Sequence, residues 1–281
     1  MAGSSLAIDI SKVSGAQQET REDSVAVEEP LEIQLSSPTA EGCAARSISI
    51  TMRTPGDDEE LALGFLFTEA IITHWNQVRT VTAVSPAVPG SDLRNTIRVE
   101  LEPNVEVDLQ RLQRHFYTTS SCGVCGKASL DALRVSGQKS LRAQQTAFRR
   151  DVVVSMPDKL RMRQHLFSST GGLHAAAAFN EDGEIIVLKE DVGRHNAVDK
   201  VIGRLLQDGQ LPAGELGLLV SGRASFELLQ KALVAGIPLL AAVGAPSSLA
   251  VQLAREFDLT LIGFLRAETF NIYTAAERIT A

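Results

Sequence analysis

In Ser120-Ser121-Cys122-Gly123-Val124-Cys125-Gly126 two of the three cysteines stand three residues apart and each is followed by glycine. Thiols at this spacing could share a metal, close a disulfide or carry sulfur. A structural zinc needs four ligands, and one CxxC supplies two. Cys43 and a histidine could complete the set in principle, but no second half-site stands at sensible spacing. A thioredoxin-like pair should open a helix directly after a strand. Here Gly123 and Gly126 favour a loop, and the strand before it is poorly defined. A purely structural pair gains little from burial in a glycine-flanked loop. A persulfide carrier fits best, since it needs an exposed thiolate on a swinging arm and Lys127 nearby favours the thiolate.

A second kind of chemistry could sit where apolar runs end. Ser221-Gly222-Arg223-Ala224-Ser225 follows the run Leu216–Val220, and Gly244-Ala245-Pro246-Ser247-Ser248 follows Leu239–Val243. Each offers small residues, backbone N–H groups and the positive end of a following helix, which suits a phosphate. Arg223 adds a bidentate donor. Neither loop is a Walker motif or a dinucleotide fingerprint, and a plain tight turn is the competing reading. Arg266-Ala267-Glu268-Thr269 follows the last apolar run. Asp191-Val192-Gly193-Arg194-His195-Asn196 leads into another helix, where His195 could be a base or a cap; His174, at a strand start, reads as structural.

The elements that must position these loops follow from periodicity. From Asp158 the pattern reads helix, strand, strand, then helix and strand in alternation to Leu265, an α/β domain with parallel crossovers over 151–281. Asn180-Glu181-Asp182-Gly183 is a hairpin turn. The helix opening this region starts at Pro157-Asp158. Before it lie a connector with the CxxC loop, 119–150, and a smaller α+β unit, 21–118. That unit has alternating strands and a helix after Thr54-Pro55-Gly56-Asp57. Cys43 falls in a turn between two of its strands. Residues 1–20 are polar and are expected to be disordered.

Net charge is −7, yet 126–165 carries nine Lys/Arg against three Asp, so this stretch is +6 and the remainder −13. A solvated basic surface and attraction of an anionic ligand or partner beside the cysteines are both consistent with it. Nucleic acid is disfavoured, because aromatics are only 5% and do not interleave with the basic residues. No apolar run approaches the roughly 20 residues that span a bilayer, and no secretory signal opens the chain. With three cysteines and no disulfide framework, a reducing cytoplasm is expected.

Cys122-Gly-Val-Cys-Gly, Glu190-Asp-Val-Gly-Arg-His-Asn-Ala-Val-Asp-Lys200, Ser221-Gly-Arg-Ala-Ser-Phe-Glu and Gly263-Phe-Leu-Arg-Ala-Glu-Thr-Phe-Asn-Ile-Tyr273, in that order, closely resemble the FdhD family of sulfur carriers for formate dehydrogenase. The resemblance runs from about residue 25 to the C-terminus. It implies a cytidine deaminase-like three-layer domain preceded by the smaller one, and a homodimer. It implies that a cysteine desulfurase supplies persulfide sulfur to Cys122, assisted by Cys125. The sulfur would pass to the molybdenum of bis-molybdopterin guanine dinucleotide, which formate dehydrogenase then receives. The guanine dinucleotide end, with GDP as its mimic, is expected near Phe264, Leu265, Arg266, Ala267, Glu268 and Thr269, with Ser221, Gly222 and Arg223 beside them. A zinc deaminase needs H-x-E and P-C-x-x-C at two helix starts. Here those starts read Arg194-His195-Asn196-Ala197 and Gly222-Arg223-Ala224-Ser225, so no metal is expected. A cofactor-binding chaperone whose cysteines only dock a partner is the alternative.

Overall fold

The computed structural model describes residues 3–39, 42–84, 95–103, 105 and 138–281. The polar N-terminus is not disordered over its described part but forms an antiparallel hairpin of β1 (Ser5–Ser14) and β2 (Gln17–Ala26), turning at Gly15 with φ 62°. Leu6, Ile8 and Ile10 alternate along β1 and share a face with Val25 of β2, a period-2 pattern that the surrounding polar residues obscure.

The chain then enters a four-stranded sheet. Its strands are β3 (Glu29–Thr39), β4 (Gly42–Arg53), β5 (Val78–Val84) and β6 (Thr96–Leu101), in the order β4-β3-β6-β5. Cys43 is not in a turn; its backbone pairs with Pro38 as the second residue of β4. Leu31, Ile33 and Leu35 on β3 and Ile97, Val99 and Leu101 on β6 are buried and share a core with Leu61, Leu63 and Leu66 of α1 (Asp58–Thr68). Three acids in the first turn of α1 suit the helix dipole. One of them, Asp58, also accepts both Nε and Nη2 of the buried Arg53, at 2.8 and 2.9 Å.

After β7 (Phe148–Arg149) come α2 (Arg150–Arg163), α3 (His165–Thr170), β8 (His174–Phe179) and β9 (Ile185–Asp191). Then follow α4 (Arg194–Gln207), β10 (Gly217–Val220), α5 (Phe226–Val234), β11 (Leu239–Ala242), α6 (Ser248–Glu256), β12 (Thr260–Gly263), β13 (Asn271–Thr274) and β14 (Ile279–Thr280). The expected alternation is present, with two differences. Helix α2 begins at Arg150, seven residues before Pro157, which lies inside it. Burial of Val152, Val153 and Met156 on one face offsets the hydrogen bond the proline cannot make. The other difference is β13, an antiparallel edge strand beyond β12.

The main sheet runs β13-β12-β11-β10-β8-β9, with β10, β11 and β12 parallel and β8 antiparallel to both neighbours. Alternation along its strands separates two apolar faces. Ala176, Ala178, Leu218, Val220, Leu240 and Leu261 meet α4, α5 and α6; Ala175, Ala177, Leu219, Leu239, Ala241 and Ile262 meet Val153, Met156 and Leu160 of α2. The result is a three-layer α/β arrangement.

Helix α4 sits between this sheet and α1 and is buried nearly all round. The two helices cross at glycines. A Cβ on Gly64 would run into the carbonyl of Asp199, and one on Gly203 into that of Glu60. One buried cluster therefore runs from Leu31 in the small sheet to Leu261 in the large one. Polar groups are matched inside it: Lys231 Nζ lies 2.8 Å from Asp199 Oδ1 and 2.9 Å from Thr68 Oγ1.

Candidate functional site

Because β8 is antiparallel to β9 and β10, one edge of the sheet collects the ends of β9, β10, β11 and β12 and the start of β8. The loops leaving these strands are joined by backbone hydrogen bonds. Gly244 N donates to Gly222 O at 2.9 Å, Phe264 N to Gly244 O at 3.1 Å, Ala224 N to Ala245 O at 3.2 Å and Ser247 N to Ala224 O at 3.0 Å. The close approach needs glycine: a Cβ on Gly244 would lie 2.9 Å from Gly222 O and 3.0 Å from Arg223 Cα. The loops at 221–225, 244–248 and 264–270 thus form one continuous rim.

The individual residues differ in what they offer. Ser221 is occupied by the fold, its Oγ accepting from Ala175 N at 2.9 Å. Gly222 leaves room for the ring of His174, whose Nδ1 lies 3.4 Å from the position a Cβ would take. Arg223 is exposed. Phe264 holds φ 54° and stays 42% exposed, while Leu265 is fully buried in the core on the α2 side. Arg266, Ala267, Glu268 and Thr269 are exposed, and Arg266 N donates to Thr269 O at 2.9 Å, tightening the turn into β13. Cys122, Cys125 and Lys127 lie outside the described residues, as does the whole CxxC loop.

The starts of α4 and α5 meet beside this rim. His195 Nε2 lies 3.4 Å from Ser225 Oγ and 3.9 Å from Glu227 Oε2. His195 beside it is the main reason the Glu227 carboxyl is lowered to about 2, its own backbone N–H and Ser225 adding to the effect against the cost of burial. His174 is half-buried, and burial, followed by the positive Arg194 and His195, pushes its pKa below the ordinary 6.5. The exposed Arg223 and Arg266 are the cationic groups of the rim, and the ionised Glu227 stands beside them.

Sequence reasoning placed Asp191 and Asn196 in a loop leading into a helix but did not foresee the buried polar network they form beneath the rim. Asp191 Oδ2 pairs with Lys200 Nζ at 2.8 Å and accepts from Thr54 N at 3.2 Å; its Oδ1 accepts from Gly193 N and Asn196 Nδ2 at 2.8 and 3.0 Å. Lys200 also donates to Thr54 O at 3.0 Å. This ties the turn that presents Arg194 and His195 to the end of β4. The available signal was a pair of charges, Asp199 and Lys200, inside the apolar run Ala197, Val198, Val201, Ile202.

Two cavities lie elsewhere. One of about 630 Å³ is lined by Ser4, Asp57, His165 and Lys189 among others, and one of about 350 Å³ by Lys159, Met162, Arg163 and Asp182 among others. Among the described residues no cluster of three or more His, Cys, Asp or Glu could hold a metal, and no helix is long and apolar enough to cross a membrane.

An α/β sheet with a loop-built rim at its strand ends defines a class of ligand-binding fold. Comparison with known proteins narrows the class. The family model FdhD/NarQ matches residues 26–280, and the chain belongs to that family. It is 50% identical over 262 residues to the sulfur carrier protein FdhD of Streptomyces coelicolor, covering 92% of this chain and 90% of that one. It is 48% identical over 272 residues to the protein of that name in Mycobacterium tuberculosis, covering 95% and 96%. It is 43% identical over 271 residues to that of Saccharolobus solfataricus, covering 96% of each. A crystal structure from Desulfotalea psychrophila, provisionally described as a formate dehydrogenase accessory protein, superposes with a TM-score of 0.73 over 99% of this chain and 100% of that one. At 24% identity it speaks for the fold.

Proposed function

We propose that this protein is a sulfur carrier that serves a formate dehydrogenase. The observation that carries this reading is identity of 43–50% along nearly the whole chain to proteins named sulfur carrier protein FdhD. The CxxC pair supplies the chemistry. A cysteine desulfurase presents a persulfide, and the Cys122 thiolate attacks its outer sulfur. A new sulfur–sulfur bond forms on Cys122 as the donor's own breaks, and the donor leaves as thiolate. Attack by Cys125 on Sγ of that persulfide would release the outer sulfur as sulfide and leave a Cys122–Cys125 disulfide, both electrons coming from the two thiols. A dithiol reductant of the thioredoxin class would then restore the pair.

The acceptor is read as the molybdenum of bis-molybdopterin guanine dinucleotide, here a substrate. Support for its seat comes from the rim: the guanidinium groups of Arg194 and Arg223, the imidazole of His195 and the exposed aromatic Phe264. The strand sequence β9-β8-β10-β11-β12 supports a cytidine deaminase-like arrangement whose two helix starts lack the glutamate and cysteines of zinc chemistry. The protein is read as a cytoplasmic homodimer with residues 21–118 and 151–281 as its two units.

The test is intact-protein mass after incubation with a desulfurase and cysteine. The wild type should gain one sulfur, and Cys122→Ala should not. No gain in the wild type, with GDP binding intact, would replace sulfur transfer by a cofactor chaperone whose cysteines only dock a partner.

A further inference from the structure

We infer that the outer edge of β9 docks an extended, acidic segment of a partner protein, which joins the main sheet as a seventh strand. The inference stands apart from the sulfur-carrier reading, and the site runs along the side of the sheet, not across its strand ends.

The first observation is an open row of backbone groups. Strand β9 is the last at its end of the six-stranded sheet. Ser221 N donates to Ala175 O at 2.9 Å, so the backbone groups of Ala175 and Ala177 face β10 and those of Ala176 and Ala178 face β9. Opposite Ala176 and Ala178 stand Lys189 and Val187, which therefore bond to β8. Ile186 and Leu188 turn their N–H and C=O groups outward, where no partner meets them among the described residues. The open row ends where Arg163 Nη1 reaches Ile185 O at 3.2 Å and Lys200 Nζ reaches Glu190 O at 3.5 Å. A bare edge is a template for another strand, and Ile186-Val187-Leu188 has neither the proline nor the charge that commonly blocks one.

The second is room beside that row. The cavity of about 630 Å³ has Arg163, His165 and Leu166 on its α2–α3 side and Asp57 and Lys200 on its α1–α4 side. Walls from both layers place it beyond the edge of the sheet and not over one face. The cavity of about 350 Å³ shares Arg163 and extends to Met162 and Ile185. Side chains of an added strand alternate to the two sides, about 7 Å apart on each, and the cavities give them space.

The third is charge. Lys159, Arg161 and Arg163 belong to the basic stretch 126–165 and stand near the end of α2, and none meets a carboxylate among the described residues. Lys159 donates to Gly183 O at 2.8 Å, Arg161 lies over the Phe167 ring, and Arg163 uses one N–H on Ile185 O. The acids of the larger cavity are already engaged, Glu190 by Leu166 N and Phe167 N and Asp57 by Lys189. Asp182 and Glu184 line the smaller cavity alone. A carboxylate entering beside Arg163 and His165 would form the charge-assisted pair that the fold leaves unmade, so the added strand is acidic.

Fluorescence anisotropy of the full chain with a labelled hexapeptide, Val-Glu-Val-Glu-Val-Glu, tests this. Binding should saturate, and it should be at least tenfold tighter than that of the peptide with lysine in place of glutamate. N-methylation of one alternate set of its residues should abolish binding and methylation of the other should not, because only one set faces β9. Arg163→Glu should weaken the acidic peptide about tenfold or more. Ile186→Pro should abolish its binding; the replaced N–H faces outward, so the ladder to β8 is kept and an edge proline is tolerated. If Ile186→Pro fails to fold, Arg163→Glu, at an exposed position, carries the test. Absence of binding by the wild type would overturn the site. So would binding unmoved in a folded Ile186→Pro or in Arg163→Glu, and equal binding of the two peptides would remove the acidic occupant. A wild-type dimer that dissociates in Ile186→Pro would give the edge to a second copy of the chain and overturn the partner segment.

Discussion

Lys200 and Asp191 face each other at 2.8 Å with side chains only 1% and 0% exposed. The pair stands where the end of β4, the turn after β9 and helix α4 converge, and it fixes the backbone from which Arg194 and His195 project. Removing one partner leaves a buried charge, which costs far more than an exposed pair is worth. Lys200→Met should therefore destabilise the protein by about 3–5 kcal/mol in urea unfolding, the lower end applying because Asp191 keeps three other donors. A loss below about 1 kcal/mol would mean that Asp191 takes up a proton or water in the variant.

The crossing of α1 over α4 admits no side chain. Gly203→Ala drives a methyl group into the Glu60 carbonyl, and Gly64→Ala drives one into that of Asp199. Backbone cannot yield as a flexible side chain does, so each substitution should fall at or beyond the upper end of the roughly 1–3 kcal/mol seen for overpacking. A lowered thermal midpoint and loss of soluble yield are the expected readouts. A variant melting with the wild type would show that the helices separate without penalty.

The Glu227–His195 contact predicts an acid-side effect. Glu227 ionises at about 2 in the folded chain against an ordinary 4.5, so the folded state binds its proton less readily than the unfolded one. The resulting stability is complete above about 4.5 and disappears as pH falls toward 2. The gap in thermal midpoint between wild type and Glu227→Gln should narrow over that interval. At this exposed position it should stay below about 1 kcal/mol throughout. A gap constant across the interval would remove Glu227 as its source.

Phe264 combines backbone strain with exposure. A non-glycine residue at φ 54° carries about 1–2 kcal/mol of unfavourable backbone energy, and its ring stays 42% exposed. Phe264→Gly should thus leave the melting midpoint unchanged or raise it while weakening GDP binding. If both stay at wild-type values, the aromatic ring takes no part in holding the ligand.

Legibility in the sequence followed the strength of the local pattern. The unbroken runs at Leu216–Val220 and Leu239–Val243 are short and bounded by turn residues, as strands covered on both faces are, and the small residues after them mark loops at one edge. Helix α2 was harder to see because Pro157 looks like a start signal, and only the burial of Val152, Val153 and Met156 carries the helix back to Arg150. Strand β13 is four residues long and largely exposed, so its alternation is too short to stand out. The hairpin at the N-terminus was hidden by its polar composition. In the rim, Leu265 looked like a ligand contact by position, yet the left-handed Phe264 just past the end of β12 turns it into the core beside α2. Arg194 was not legible as part of the rim, since its approach to Gly222 depends on β8 inserting between β9 and β10.

The glycine crossing also sets a timetable. Helix α1 leaves the ribosome about 140 residues before Gly203, which at about 5–20 residues per second is roughly 7–28 s. Once β5 and β6 have followed, Leu61, Leu63 and Leu66 have the small sheet on one side and still no α4 on the other. A nascent chain at this stage is an attractive client for a hydrophobic-binding chaperone, and a fragment ending before α4 has no route to the native state.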